Sequence, residues 1–107
     1  MAAGGQLTSL ADWLDQHTVG APPVLARRVR QYVSSVEADA SIASTLATAA
    51  TAALDTVARQ PEGRAGALDL LAADALITLA LLAQSGSDPS RLHEFATRIL
   101  HAEIARA

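Results

Sequence analysis

The segment from Ala65 to Ala83 constrains this chain more than any other feature. It holds only alanine, glycine, leucine, isoleucine, threonine and two aspartates. Its length comes close to the roughly 20 apolar residues that a helix needs to cross a bilayer. Asp69 and Asp74 lie inside it, however, and a carboxylate near mid-membrane is costly. The segment therefore reads as the central helix of a soluble bundle, at about 64–84.

Its faces follow from the helical advance of about 100° per residue. Leu70, Ile77 and Leu81 gather on one side, and Leu71, Ala75, Leu79 and Leu82 on another. Asp74 and Thr78 fall between them. The remaining side, with Asp69, Ala72, Ala73, Leu76 and Ala80, is small and only mildly polar. A helix apolar around most of its circumference belongs inside a bundle or in a subunit interface. Asp74 is then expected to be buried between two leucine faces. A buried carboxylate must be paired, hydrogen-bonded or protonated. Thr78, one turn on, or an arginine would partner it. Asp74 and Thr78 are thus the candidate buried polar or pocket site, as a structural anchor first and a functional carboxylate second.

The rest of the chain reads as helices set off by turn residues. Residues 1–7 are expected to be a flexible start and 8–107 a single helical domain. Ser9-Leu10-Ala11-Asp12 has the form of a capping box for a short first helix, about Leu10–His17, with Gly20 as a left-handed stop. Pro22-Pro23 starts a second helix to about Val36, its stripe made of Leu25, Val29, Tyr32, Val33 and Val36. Asp39 or Ser41 caps a third helix, about 40–59. Ile42, Leu46, Ala49, Ala50, Ala53, Leu54 and Val57 form its dry side. Ser41, Ser44, Thr45, Thr48, Thr51, Asp55 and Arg59 form its wet side. Ser85-Gly86-Ser87 is expected to end the fourth helix. Asp88-Pro89 starts a fifth, with Leu92, Phe95, Ala96, Ile99 and Leu100 inward. The fold class is all-α, a small bundle of about five helices, the first one short.

Composition removes several functions. The chain has 107 residues and no cysteine, so disulfides, thiolate metal sites and cysteine nucleophiles are excluded. That absence also fits a cytoplasmic setting. All eight basic residues are arginine, a compositional bias of bacterial kind, and they are scattered. The net charge of −3 argues against nucleic acid, which needs a concentrated basic surface. Arg27, Arg28 and Arg30 read as a solvated face. His93 and His101 have no carboxylates spaced with them as a metal site requires. No phosphate-cradling glycine motif or nucleophile elbow is present.

The stretch Leu70-Leu71-Ala72-Ala73-Asp74-Ala75-Leu76-Ile77-Thr78-Leu79-Ala80 resembles a core helix of the all-helical polyprenyl synthases. The D-D-x-x-D clusters that hold magnesium and diphosphate in that family have no counterpart here. The resemblance covers about a tenth of the chain and implies no activity and no site residues. The expected function is a non-enzymatic interaction module, a homodimer or the small subunit of a larger assembly. The alternative is a ligand-binding or sensor bundle with a pocket near Asp74. No cofactor, nucleic-acid partner or membrane partner is expected.

Overall fold

In the computed structural model, helix α4 (Gly63–Ser87) forms the axis on which the other helices pack. Before it come α1 (Ala2–His17), α2 (Pro23–Ser35) and α3 (Ile42–Arg59). After it, a single 3₁₀ turn at Pro89–Arg91 leads into α5 (Leu92–Arg106). The structure describes residues 2–59 and 63–106, with side chains described from 10 to 59 and from 63 to 101. No strand occurs among the described residues. The all-α, five-helix reading is what the structure shows.

α3 and α4 form the most extensive helix pair. The buried face of α3 is Ala43, Thr45, Leu46, Ala49, Ala50 and Ala53. That of α4 is Gly66, Asp69, Ala72, Ala73, Leu76, Leu79, Ala80 and Ala83. Side-chain size at a helix contact sets how near the axes can come. Two alanine-rich faces allow a close approach, with Leu46 and Leu76 as the large side chains sealed within it. Full burial of a leucine stabilises the fold by roughly 1.5–3 kcal/mol. α2 adds Ala26, Val29 and Val33, α1 adds Leu14, and α5 adds Phe95.

This arrangement corrects the expected orientation of α4. The small side faces the core together with Leu79, and the other leucines of the two leucine sides are left partly or largely outside. Leu70, Leu71 and Leu82 are 53%, 55% and 47% exposed. Asp74 and Thr78 are exposed between them, so the expected burial of that strip does not hold. The buried carboxylate is Asp69, at 4% exposure. Close packing selected the face of small residues, and hydrophobicity alone gave no preference. By length and composition α4 could cross a membrane. Its best window has a mean hydropathy of 1.9, and 39% of that window is buried.

The helix ends show further differences. α1 begins at Ala2, so Ser9 lies inside the helix rather than at its cap. Gly20 is not left-handed. Instead Thr18, buried after the last turn, donates its hydroxyl to Leu14 O at 2.7 Å, and Ala21 N–H donates to Thr18 O at 3.0 Å. Pro23 begins α2 as expected, with Ala26 N–H bonded to Pro22 O at 3.0 Å. Ser41 caps α3 by accepting from Ser44 N–H at 3.0 Å. Thr45, expected on the wet side, is buried, and its hydroxyl both donates to Ser41 O and accepts from Asp39 N–H.

Ser85-Gly86-Ser87 forms the last turn of α4 and does not lie beyond it. The hydroxyls of Ser85 and Ser87 donate to Leu82 O and Gln84 O, and Asp88 N–H donates to Gln84 O at 2.9 Å. The helix thus runs on to Asp88-Pro89, where proline lacks the N–H to continue it. On α5, Phe95 is buried as expected, but Leu100 is 56% exposed.

Candidate functional site

α2 meets α4 through a polar group set at the edge of the alanine interface. Arg28 and Tyr32 are four residues apart on α2, so they share a face. Both reach Asp69. The Tyr32 hydroxyl donates to Asp69 Oδ1 at 2.9 Å, and Arg28 Nε lies 3.6 Å from the same oxygen. The side chain of Asp69 is 6% exposed, that of Arg28 35%. A buried carboxylate needs such partners to stay folded inside. Burial is the largest influence on Tyr32 and pushes its hydroxyl above the usual phenol range. The Asp69 carboxylate pushes the same way, against opposing pulls from Thr56 and Arg28. No buried side-chain N or O among the described residues lacks a hydrogen-bond partner. Within the group, the Tyr32 hydroxyl and Asp69 Oδ1 are engaged with each other.

Asp74 and Thr78 lie on a different surface. They line an open depression of about 290 Å³ together with His17, Thr18, Leu25, Val29 and Leu79. Thr78 does not partner the Asp74 side chain. Its hydroxyl donates to the Asp74 backbone carbonyl at 3.0 Å. His17 stacks on Trp13 with ring centroids 3.9 Å apart, and its Nδ1 donates to Trp13 O at 2.7 Å. That bond fixes one ring nitrogen as the donor and leaves Nε2 at the surface. Trp13 and His17 also line an adjoining depression of about 440 Å³.

The basic cluster on α2 is partly neutralised. Arg30 bonds Asp15 of α1 at 2.8 Å, and Arg28 is engaged by Asp69. Arg27 is exposed. His93 and His101 are both exposed. No set of three or more His, Asp or Glu among the described residues is placed to hold a metal ion.

Sequence reasoning singled out Asp74 and missed Asp69. The signal for Asp69 was present in the spacing. It stands on the same helical line as Ala72, Ala73, Leu76 and Ala80, the side on which another helix can come close. Comparison with protein-family models, with curated proteins and with solved structures gives no match.

Proposed function

We propose that this chain is a non-enzymatic helical interaction module of the cytoplasm, a single-domain homodimer or the small subunit of a larger protein assembly. The outward face of α4 carries the reading. Leu70, Leu71 and Leu82 stay about half exposed on a helix that runs nearly the full length of the molecule. Large exposed apolar side chains gathered on one helix face are the kind of surface that association covers. Among the described residues every buried side-chain N or O has a hydrogen-bond partner, which suits a scaffold.

The test pairs Leu71→Glu with Leu82→Glu and follows mass in solution by light scattering. The expected result is an assembled parent protein and a monomeric double variant with unchanged helical circular dichroism. An assembly that survives both charges would remove the α4 face from the proposal.

A second reading is favoured by the depression at Asp74 and Thr78. Its floor of Leu25, Val29 and Leu79 with a rim of Asp74, Thr78 and His17 suits a small amphiphilic ligand with a cationic or hydrogen-bonding head. Amide NMR titration with a fragment set would support it if shifts cluster at Thr18, Asp74 and Thr78. Shifts spread over the surface would count against it.

A further inference from the structure

We infer that the outward face of α4 pairs with the same face of a second copy, antiparallel, about a two-fold axis level with Leu76. This rests on the interaction-module reading and adds occupant, direction and register. The argument begins from Leu76, which is 0% exposed and marks the inward pole of the helix. Ala67 and Ser85 each lie nine residues from it. At about 100° per residue, both stand on the line directly opposite.

Around that line the outward positions come in pairs equidistant from Leu76. Leu70 and Leu82 are six residues away on either side, Leu71 and Leu81 five, Asp74 and Thr78 two. Arg64, in the first turn of the helix, and Asp88, one residue past its end, are each twelve away. A two-fold axis at Leu76 brings each residue level with its counterpart in the second copy. Leu70 comes level with Leu82 and Leu71 with Leu81. Leucines then face leucines across the seam, Ala67 stands level with Ser85, Asp74 with Thr78, and Arg64 with Asp88. This is the self-complementary surface that a two-fold interface demands.

The alternatives fit worse. A parallel pair in the same register would set Asp74 against Asp74 and Arg64 against Arg64, and like charges in contact disfavour a pairing. A bilayer would meet Asp74 at mid-span on the outward face, where burial in lipid is costly. The helix is about 37 Å long at roughly 1.5 Å per residue, against a longest molecular dimension of 42 Å. A paired α4 would therefore run almost the whole length of each copy.

The chain has no cysteine, so Ala67→Cys and Ser85→Cys each introduce a single thiol. Ala67 is exposed and Ser85 partly so. Each variant is first checked for parental helicity, then oxidised with copper phenanthroline, alone and after exchange in an equimolar mixture. In the proposed register the two thiols of one variant stand about 27 Å apart, at roughly 1.5 Å per residue. Neither variant alone should cross-link. The mixture should yield a 67–85 disulfide, its yield approaching the half of all dimers that random pairing allows. Cross-linking of either variant alone would overturn the antiparallel register. A dimer by light scattering with no cross-link in the mixture would also overturn the register, while leaving the interaction-module reading standing. A strict monomer at high micromolar concentration, or flotation with phosphatidylcholine–phosphatidylglycerol vesicles, would overturn the second copy as occupant.

Discussion

Tyr32 on α2 donates its hydroxyl hydrogen to Asp69 on α4 at 2.9 Å, and Asp69 is one of the most deeply buried charged groups described. The bond ties two helices that otherwise meet through small apolar side chains. Tyr32→Phe keeps the ring and removes the donor. Among the described residues Asp69 then keeps Arg28, at 3.6 Å. Leaving a buried acceptor short of a partner costs about 1–3 kcal/mol. The melting temperature should fall by about 4–8 °C per kcal/mol for a domain of this size. Urea denaturation of Tyr32→Phe, Asp69→Ala and the double variant should show strong non-additivity, because both changes remove the Tyr32–Asp69 hydrogen bond.

Tyr32 also offers a direct probe, since it is the one tyrosine in the chain. Burial and the Asp69 carboxylate raise its pKa in the folded state. In the unfolded chain a tyrosine titrates near pH 10. As pH rises past that value, the unfolded state loses its proton while the folded state keeps it. Fewer protons on the unfolded state mean that stability falls with rising pH. The contribution is fully present below about pH 10 and is lost through the higher folded-state pKa. Tyrosinate absorbance should therefore titrate later in the native protein than in denaturant. A native midpoint at or below the denatured one would show that Tyr32 is not held against a carboxylate.

Asp74 should behave in the opposite way to Asp69. It is exposed, and the nearby Thr78 hydroxyl uses the backbone carbonyl of Asp74, not its side chain. Asp74→Ala should change the stability of the monomeric fold by no more than about 0.5 kcal/mol, as surface substitutions do. Measured in the Leu71→Glu, Leu82→Glu background, chemical denaturation reads the fold without any contribution from association. A loss comparable with that of Asp69→Ala would mean that Asp74 anchors the core after all.

The contrast between these aspartates shows which features the sequence made legible. Helix existence was readable because Pro22-Pro23 and Asp88-Pro89 punctuate strong 3.6-residue patterns. The inner faces of α2 and α3 were readable because polar residues oppose apolar ones on both. α4 has little such opposition. Apolar residues surround it, so periodicity does not say which side turns inward. The decision falls to volume: Ala72, Ala73 and Ala80 let α3 approach, and Leu70, Leu71 and Leu82 are left outside. Asp69 goes inward with the small residues because Tyr32 and Arg28 are there to receive it. That pairing depends on where α2 docks, which no local pattern encodes. The run Ser85-Gly86-Ser87 misled for a local reason. Serine hydroxyls can satisfy the preceding carbonyls within a helix as readily as they can in a turn.

If volume sets the α3–α4 interface, enlarging one alanine there should cost far more than enlarging one outside. Ala73 is 0% exposed on the inward face of α4, opposite a face of α3 rich in alanine. Ala73→Leu adds three carbons at a fully buried position of α4. Overpacking of this kind typically costs about 1–3 kcal/mol, through shifted backbones and unfavourable rotamers. Ala58→Leu on α3 makes the same chemical change at an exposed position. Leucine is nearly as good a helix former as alanine, so the cost there should stay within about 0.5 kcal/mol. Parallel thermal denaturation of the two variants separates packing from propensity. Equal melting temperatures would mean that the interface has room for a leucine, and that small size is not what turns this face of α4 toward α3.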